Sequence, residues 1–546
     1  MLLGDPKKID LGSSSFKKMR VENNLYIDKT RFIEHFLLEP NSVQLVVRQR
    51  RLGKSLNMDT LRCFLTDSED NRHLFAGAYI EKSPVWNQAN SAPVFFFDFK
   101  NLDRVNYKAQ IQNKIVEYVY NYVGVRNLKD YTKYAFDRYM AGDGGDTNGF
   151  LLLSEIVFET TGKYSYILID EYDKLLMDNH NNDAYDEIKE YETGLLSAGL
   201  KGNRYLKKAL LTGVMRVSRE SILSGLNNLS TYSLFADKVY TSDFGLSEAE
   251  IQELRECCDF DAAKLKDWYD GIKINGRSLY NIYSVFSYMR EGAYKNYWGR
   301  SGAIDMISGL LDESRRETIM RLLNGETINT YVSDRISLNE LAAEPDDNVV
   351  YSLLTQAGYL SLEHIDESNY GAVKIPNKEL AYVWKDYILS SVVKKGASLK
   401  TMFDNIDNLD HFSNDVEYFL NDRLSYFDME SKPGNGTVSE KTYHVFMLGL
   451  LSAYEDISFI KPPFSNRESG DGRYDIMLVR KDLAIVFEFK STDDVDNLAS
   501  LAAEGLKQID EKRYYADAPR GVPLIKTAIA FCGKRCRAMS SRHERL

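Results

Sequence analysis

The chain has 546 residues, 44% hydrophobic and 27% charged, an ordinary globular composition that excludes a disordered or fibrous polypeptide. Its formal charge of −11 argues against a protein that merely coats nucleic acid, so any nucleic-acid contact needs a local basic patch. Length alone implies roughly three or four domains, at about 150 residues each.

From the N-terminus, short apolar runs alternate with segments of helical period. Gln44–Val47, Val94–Phe97, Tyr166–Ile169 and Ala209–Leu211 read as buried strands, and Lys54–Leu65 as a helix. Strands separated by helices predict a mostly parallel sheet with right-handed crossovers. From about 247 to 400 the pattern turns mainly helical, with short strand candidates at 358–362 and 370–375. Beyond 400, a helical stretch leads to a helix over 440–454, then strands over 474–479 and 483–489. A helix over 498–516 and a strand over 525–531 follow. The expected domains are residues 1–245, 246–400 and 401–546.

The first strand runs directly into Arg48-Gln-Arg-Arg-Leu-Gly53-Lys54-Ser55, which opens a helix. A strand–loop–helix ending in Gly-Lys-Ser is the context a phosphate-binding loop requires. Backbone N–H groups surround the phosphates, Lys54 meets the β/γ oxygens, and the Ser55 hydroxyl ligates Mg²⁺. Arg51 and Gly53 belong to the same nucleotide cradle. Arg48 replaces the first glycine of such a loop, so a basic turn that merely contains Gly-Lys-Ser is the competing interpretation. The strand ending in Ile169-Asp170-Glu171 weighs against it, because open α/β sheets bind ligands at the carboxyl ends of their strands. Asp170 is assigned to Mg²⁺ and Glu171 to the attacking water. Thr212, at the end of a further strand, and Arg216 are weaker candidates for a γ-phosphate sensor.

Near the C-terminus, Gly472-Arg-Tyr-Asp475-Ile-Met-Leu-Val and Ala484-Ile-Val-Phe-Glu488-Phe-Lys490 read as a β-hairpin. Strand alternation puts Glu488 and Lys490 on one face, with Asp475 across from them. Two carboxylates and a lysine at one end of a sheet suit metal-assisted phosphodiester hydrolysis. Asp475 and Glu488 would bind Mg²⁺, while Lys490 orients the water and offsets developing charge. An exposed strand with a Glu-x-Lys ion pair is the bland alternative. What strengthens the nuclease reading is the full order: Glu440 on a preceding helix as a further metal ligand, then Asp475, Glu488 and Lys490, then Gln508 with Tyr514. The segment Lys534–Leu546 carries five Lys/Arg against one acid, and is either a solvated tail or a DNA contact.

The five cysteines are too few and too scattered for a disulfide scaffold, which suggests a reducing compartment. The first sixteen residues lack the apolar stretch of a signal peptide. No uncharged apolar run reaches the roughly eighteen residues a spanning helix needs. A soluble, cytoplasmic protein without a membrane partner is expected.

Ordered segments across the chain resemble a known bacterial family. They are Tyr26–Thr30, Arg50–Ser55, Ile169–Asp173, Leu211–Val214, Ser224–Asn228, Trp268–Gly271, Tyr280-Asn281, Ile375–Asn377, Ser465–Gly470 and Gly472–Asp475. In that family an AAA-ATPase-like domain is fused to a C-terminal nuclease-like domain of the PD-(D/E)XK superfamily. Arginine at the position of Arg48 is usual there, whereas Ile272 stands where an aromatic is common. The resemblance implies an α/β multidomain protein: a P-loop NTPase parallel sheet, a helical lid with a winged-helix-like unit, and a C-terminal restriction-endonuclease-like α/β domain. It further implies an ATP-binding ATPase coupled to a Mg²⁺-dependent nuclease acting on DNA, in defence or mobile-element biology. The expected cofactors are ATP and Mg²⁺, and the expected partners are nucleotide and DNA; a homo-oligomer is compatible with this. A second reading, from another class, is a nucleotide-dependent switch whose C-terminal domain binds nucleic acid or a partner without cutting. The acidic charge favours the switch, and the intact Asp475, Glu488 and Lys490 favour the nuclease.

Overall fold

The computed structural model describes residues 1–143, 145–180, 182–216, 223, 226–235, 237–274, 276–299, 310–323, 325–333, 336, 345–392, 403, 406–423, 443–444, 446–448, 451, 464–480, 482–533 and 535–543. The chain divides into two compact units: Met1–Ser301 with Asn329–Glu379, and Gly302–Ile328 with Leu380–Leu546.

The first unit is built on five parallel strands: β1 (Val43–Val47), β2 (Val94–Asp98), β3 (Ser165–Asp170), β4 (Leu206–Gly213) and β5 (Leu229–Tyr232). Their order across the sheet is β2-β3-β4-β1-β5. Every residue of β1 and β3 is buried. Both faces are covered, so these strands read as unbroken apolar runs and not as alternation. β5 was not anticipated. Its sequence Leu-Ser-Thr-Tyr buries only Tyr232 and pairs on one side, so it lacks the apolar signal of a central strand. Helix α1 (Lys54–Leu65) follows β1 directly, and its Leu61 and Phe64 pack in one core with Val46, Leu168 and Leu210.

Three further helices of this unit, Glu248–Cys257, Ala262–Tyr269 and Ile282–Glu291, begin at capping side chains. Ser247 forms a reciprocal capping box with Glu250, and Asp261 and Asn281 accept from backbone N–H groups in the first turn. Ile272–Ile274 and Arg277–Leu279 form a short antiparallel hairpin that periodicity alone did not reveal. The strand expected at 358–362 starts at Ser361, because the helix Asp347–Ala357 is still being capped at Gly358.

The second unit holds another five-stranded sheet: β6 (Phe464–Ser469), β7 (Gly472–Val479), β8 (Ala484–Ser491), β9 (Leu524–Cys532) and β10 (Arg535–His543), in that spatial order. Only β8 and β9 are parallel, and the crossover between them carries helix α2 (Leu498–Glu511). Residues 535–543 of the basic C-terminal segment are therefore not a solvated tail; they pair with β9 along their whole length. Buried Cys536 and Ala538 alternate with arginines there, giving the strand one apolar face that its charge count conceals. Lys534 and 544–546 lie outside the described residues, as do Glu440, most of the expected 440–454 helix, and Ser224 and Gly225 of the Ser224–Asn228 segment. Among the described residues, no helix is long and apolar enough to cross a membrane.

Candidate functional site

The loop 48–53 joins β1 to α1 at the carboxyl edge of the parallel sheet, where strand-to-helix turns collect and ligands bind. Asp170, at the end of β3 and 3% exposed, gathers two hydroxyls. Ser55 Oγ donates to its Oδ2 at 2.5 Å, and Thr212 Oγ1, from β4, donates to its Oδ1. Lys54 is buried, and its Nζ donates to the carbonyls of Arg48 and Gln49, each at 2.9 Å. Burial lowers the pKa of its ammonium, opposed by the charges of Asp170, Asp173 and Glu171. Gly53 caps α1 with φ +90°, a left-handed conformation that a side chain would strain. Glu171 has φ +51°, and burial pushes its carboxyl above the usual range.

Two arginines of the loop point elsewhere. Arg48 is fully buried and pairs with Asp237, while its Nη1 donates to Val47 O at 2.8 Å and Tyr232 O at 3.0 Å. The position of the missing glycine is thus filled by a side chain turned toward β5. Arg51 is not brought into the Ser55–Asp170–Thr212 cluster. Its guanidinium lies 3.7 Å from the ring centre of Tyr283, and Nη1 donates to Tyr297 O at 3.2 Å. The backbone N–H of Arg216 lies 3.5 Å from Gln356 Oε1.

In the second unit, the pairing of β7 with β8 ends at Ile476↔Phe487, one residue short of Asp475 and Glu488 on the adjacent strands. Asp475 Oδ2 accepts the N–H of Phe489 at 2.7 Å. Burial raises the pKa of Asp475, and that N–H, then His444 and Lys490, counter it. Glu488 is 3% exposed; its Oε1 accepts from Lys490 Nζ at 3.0 Å and Gln508 Nε2 at 2.7 Å. Gln508 also reaches Tyr514 OH at 2.8 Å. Helix α2 can deliver Gln508 because Gly505 lets it approach the sheet closely: a Cβ there would stand 2.8 Å from that of Ala528. All four expected residues of this unit that are described (Asp475, Glu488, Lys490 and Gln508) are brought together.

Two family descriptions match the chain, predicted AAA-ATPase over residues 10–223 and the PD-(D/E)XK nuclease superfamily over residues 438–541. The chain joins an AAA-ATPase-like domain to a PD-(D/E)XK nuclease superfamily domain. It is 24% identical over 551 residues to an Azotobacter chroococcum protein described as "Uncharacterized protein in vnfD 5'region", covering 96% of each chain. Among solved structures, the Walker-type ATPase PABY2304 of Pyrococcus abyssi aligns with a TM-score of 0.34 at 17% identity. That alignment covers 65% of this chain and 94% of the other.

Domains of these two kinds use nucleotide and divalent metal. In the ATPase-like domain, the Ser55 hydroxyl and Asp170 carboxylate form an oxygen pair of the kind a hard cation takes, so the residues present fit a metal-bound nucleotide. In the nuclease-like domain, Asp475 and Glu488 are likewise hard oxygen donors. Among the described residues no group of three or more His, Cys, Asp or Glu that could hold a metal ion gathers, and these two carboxylates alone would leave the rest of a hard cation's shell to water or substrate oxygens.

Sequence reasoning passed over two neighbours of these sites. Asp173 Oδ2 accepts the N–H groups of Val214 at 2.9 Å and Met215 at 2.7 Å, tying the exit of β4 to that of β3. It stands in the quoted Ile169–Asp173 segment, where only the first two acids received a role. His444 Nε2 lies 3.1 Å from the carbonyl oxygen of Asp475. Its signal was the spacing of four from Glu440, one helical turn along the expected helix.

Proposed function

We propose that this chain is an ATP-binding ATPase coupled to a Mg²⁺-dependent nuclease that cuts DNA. The observation that carries the proposal is the convergence at Glu488, where Lys490 from the same strand and Gln508 from α2 reach one oxygen beside Asp475. An ordinary surface ion pair has no need of a further, amide donor or of a second, half-buried carboxylate beside it.

In this reading Asp475 and Glu488, with Glu440, hold the cation. When bound, Mg²⁺ supplies a Lewis acid that activates water and neutralises phosphate charge. Lys490 orients the water and offsets charge on the phosphoryl oxygens, and Gln508 keeps Glu488 in place. In the ATPase-like domain, Lys54 exchanges its two loop carbonyls for the β/γ oxygens of ATP. Ser55 and Asp170 hold the metal, Glu171 orients the attacking water, Thr212 fixes Asp170, and Gly53 and Arg51 shape the loop. Residues 1–245 carry the nucleotide, 246–400 form the helical lid and winged-helix-like region, and 401–546 cut. The setting is the cytoplasm, in defence or mobile-element biology.

The test is incubation of purified protein with linear and circular DNA and with RNA, with Mg²⁺ or Mn²⁺, with and without ATP. Wild type should cut DNA only with metal, and Asp475→Asn and Glu488→Gln should each abolish cutting. Cleavage that survives both substitutions would sink the site assignment. The net charge of −11 favours the switch as a second reading. A wild type that binds DNA but never cuts under any of these conditions would establish the switch.

A further inference from the structure

Four consecutive residues at the start of helix Ile282–Glu291 each touch the phosphate loop or its support. Asn281 Nδ2 donates to Arg50 O at 3.4 Å. Ile282 Cδ1 faces Gly53, 3.3 Å from where a Cβ would stand. The Tyr283 ring carries the Arg51 guanidinium at 3.7 Å. Ser284 Oγ lies 3.0 and 2.8 Å from the two carboxylate oxygens of Glu379. One helix start therefore touches three residues of the loop, Arg50, Arg51 and Gly53, and a distant acid.

Glu379 is fully buried, and its Oε1 also accepts the N–H groups of Tyr297 at 2.8 Å and Trp298 at 2.9 Å. Arg51 binds the same segment from its other side, donating to Tyr297 O at 3.2 Å. Glu379 and Arg51 thus grip the two polar edges of one stretch of backbone. Arg51 itself has φ +64°, a conformation that a non-glycine residue keeps only when its surroundings hold it. Asn377, two residues before Glu379, donates to Asp270 O at 2.7 Å. The Trp268–Gly271, Tyr280-Asn281 and Ile375–Asn377 segments therefore meet around this assembly, although none carries a ligand-binding role of its own.

We propose that Glu379 is a positioning residue for the nucleotide, acting through Tyr297–Trp298 and Arg51 to hold the phosphate loop in its binding conformation. This rests on the nucleotide-binding reading of the loop. Oε1 holds both N–H groups, which presents the Tyr297 carbonyl to Arg51, and the hold is strongest once the carboxyl is ionised, above about 7. The guanidinium, sandwiched between that carbonyl and the Tyr283 ring, then fixes the residue two positions before Gly53. A glutamate that merely filled space would affect stability and leave nucleotide affinity alone.

A double-mutant cycle separates the two roles. ATP affinity by calorimetry and melting temperature are measured at about pH 8, where the carboxyl is ionised, for wild type, Glu379→Gln, Arg51→Ala and the pair. Glutamine keeps the shape and an acceptor oxygen but removes the charge. Glu379→Gln should weaken ATP binding about tenfold, Arg51→Ala at least as much, and the double variant no more than Arg51→Ala alone. Unchanged affinity in Glu379→Gln, or penalties that multiply, overturns the proposal. If Glu379→Gln does not fold, Tyr283→Leu at a half-buried position replaces it, with the same loss expected and the same absence of loss in the Arg51→Ala background. Full affinity in Tyr283→Leu would then overturn it. A wild type that binds no ATP defeats the nucleotide reading itself, and this inference falls with it.

Discussion

Lys54 and Lys490 are both lysines drawn into buried acidic surroundings, yet they are held differently. Lys54 folds back on its own loop, with its ammonium satisfied by two main-chain carbonyls. Lys490 is bound to the carboxylate beside which it would work, sharing Glu488 with Gln508. The first arrangement makes a preformed loop whose cation can be handed to an anionic ligand without stranding a carboxylate. In the second, removing Lys490 or Glu488 leaves a largely buried charge without its counterpart, and such groups are costly. The phosphate loop is self-sufficient in hydrogen bonding; the hairpin site is a mutual arrangement.

The strongest way to break the first half of that comparison lies behind the loop. Asp237→Ala strands Arg48, fully buried, without its ion-pair partner, and should cost about 3–5 kcal/mol of stability by chemical denaturation. A loss below about 1 kcal/mol would mean that the arginine's main-chain acceptors suffice. Next, Lys54→Ala should weaken ATP binding at least about a hundredfold, whereas Glu171→Gln should preserve binding and slow hydrolysis. Lys490→Ala should behave as the opposite case, with metal affinity nearly intact and cleavage slowed by about a hundredfold, because its charge matters most as the transition state develops. Equal ATP affinity in wild type and Lys54→Ala would end the phosphate-loop reading.

A pH experiment sharpens the same contrast, since Glu379 is a buried acid that stays hydrogen-bonded. Burial lifts it from the ordinary 4.5 to about 7, with its backbone N–H partners, Ser284 and then Arg51 pulling the other way, and Tyr269 facing it as well. A raised carboxyl means that the folded state holds the proton more tightly. Its contribution to stability is complete below about 4.5 and is lost as pH rises through about 7. The difference in unfolding free energy between wild type and Glu379→Gln should shrink by at most ~3 kcal/mol between about pH 5 and about pH 8. A difference that stays flat with pH contradicts the assigned shift. The smallest effect belongs to Gln508→Ala, which removes one donor to Glu488. Cleavage should slow by about tenfold or less, roughly 1 kcal/mol, with metal titration almost unchanged.

Much of this was written in local chemistry. Gln44–Val47 and Tyr166–Ile169 are apolar because both faces of a parallel sheet are covered, so the runs betray the strands. Gly-Lys-Ser after one strand and Asp-Glu after another sufficed to anticipate that Ser55 and Asp170 would meet. Glu488 and Lys490 share a face because strands alternate. Edge strands were harder: Leu229–Tyr232 and Arg535–His543 bury one face or less, and their charge or hydroxyl content masks it. Arg51 was assigned to the nucleotide from its place in the motif. Its direction depends on Tyr283 and Tyr297, more than two hundred positions away, and no local pattern encodes a contact of that range. The same holds for Glu379, whose partners Ser284, Tyr297 and Trp298 announce nothing in sequence.

The loop's dependence on distant residues also has a consequence in time. Gln49 donates to the carbonyl of Thr355, 306 positions later in the chain. At ribosomal speeds of about 5–20 residues per second, those partners are made roughly 15–60 s after the loop itself. During that interval the Gly-Lys-Ser motif is complete as a sequence but unsupported as a shape. Nascent chains should therefore acquire their grip on nucleotide late and abruptly, as the 329–379 segment joins the earlier part of its unit.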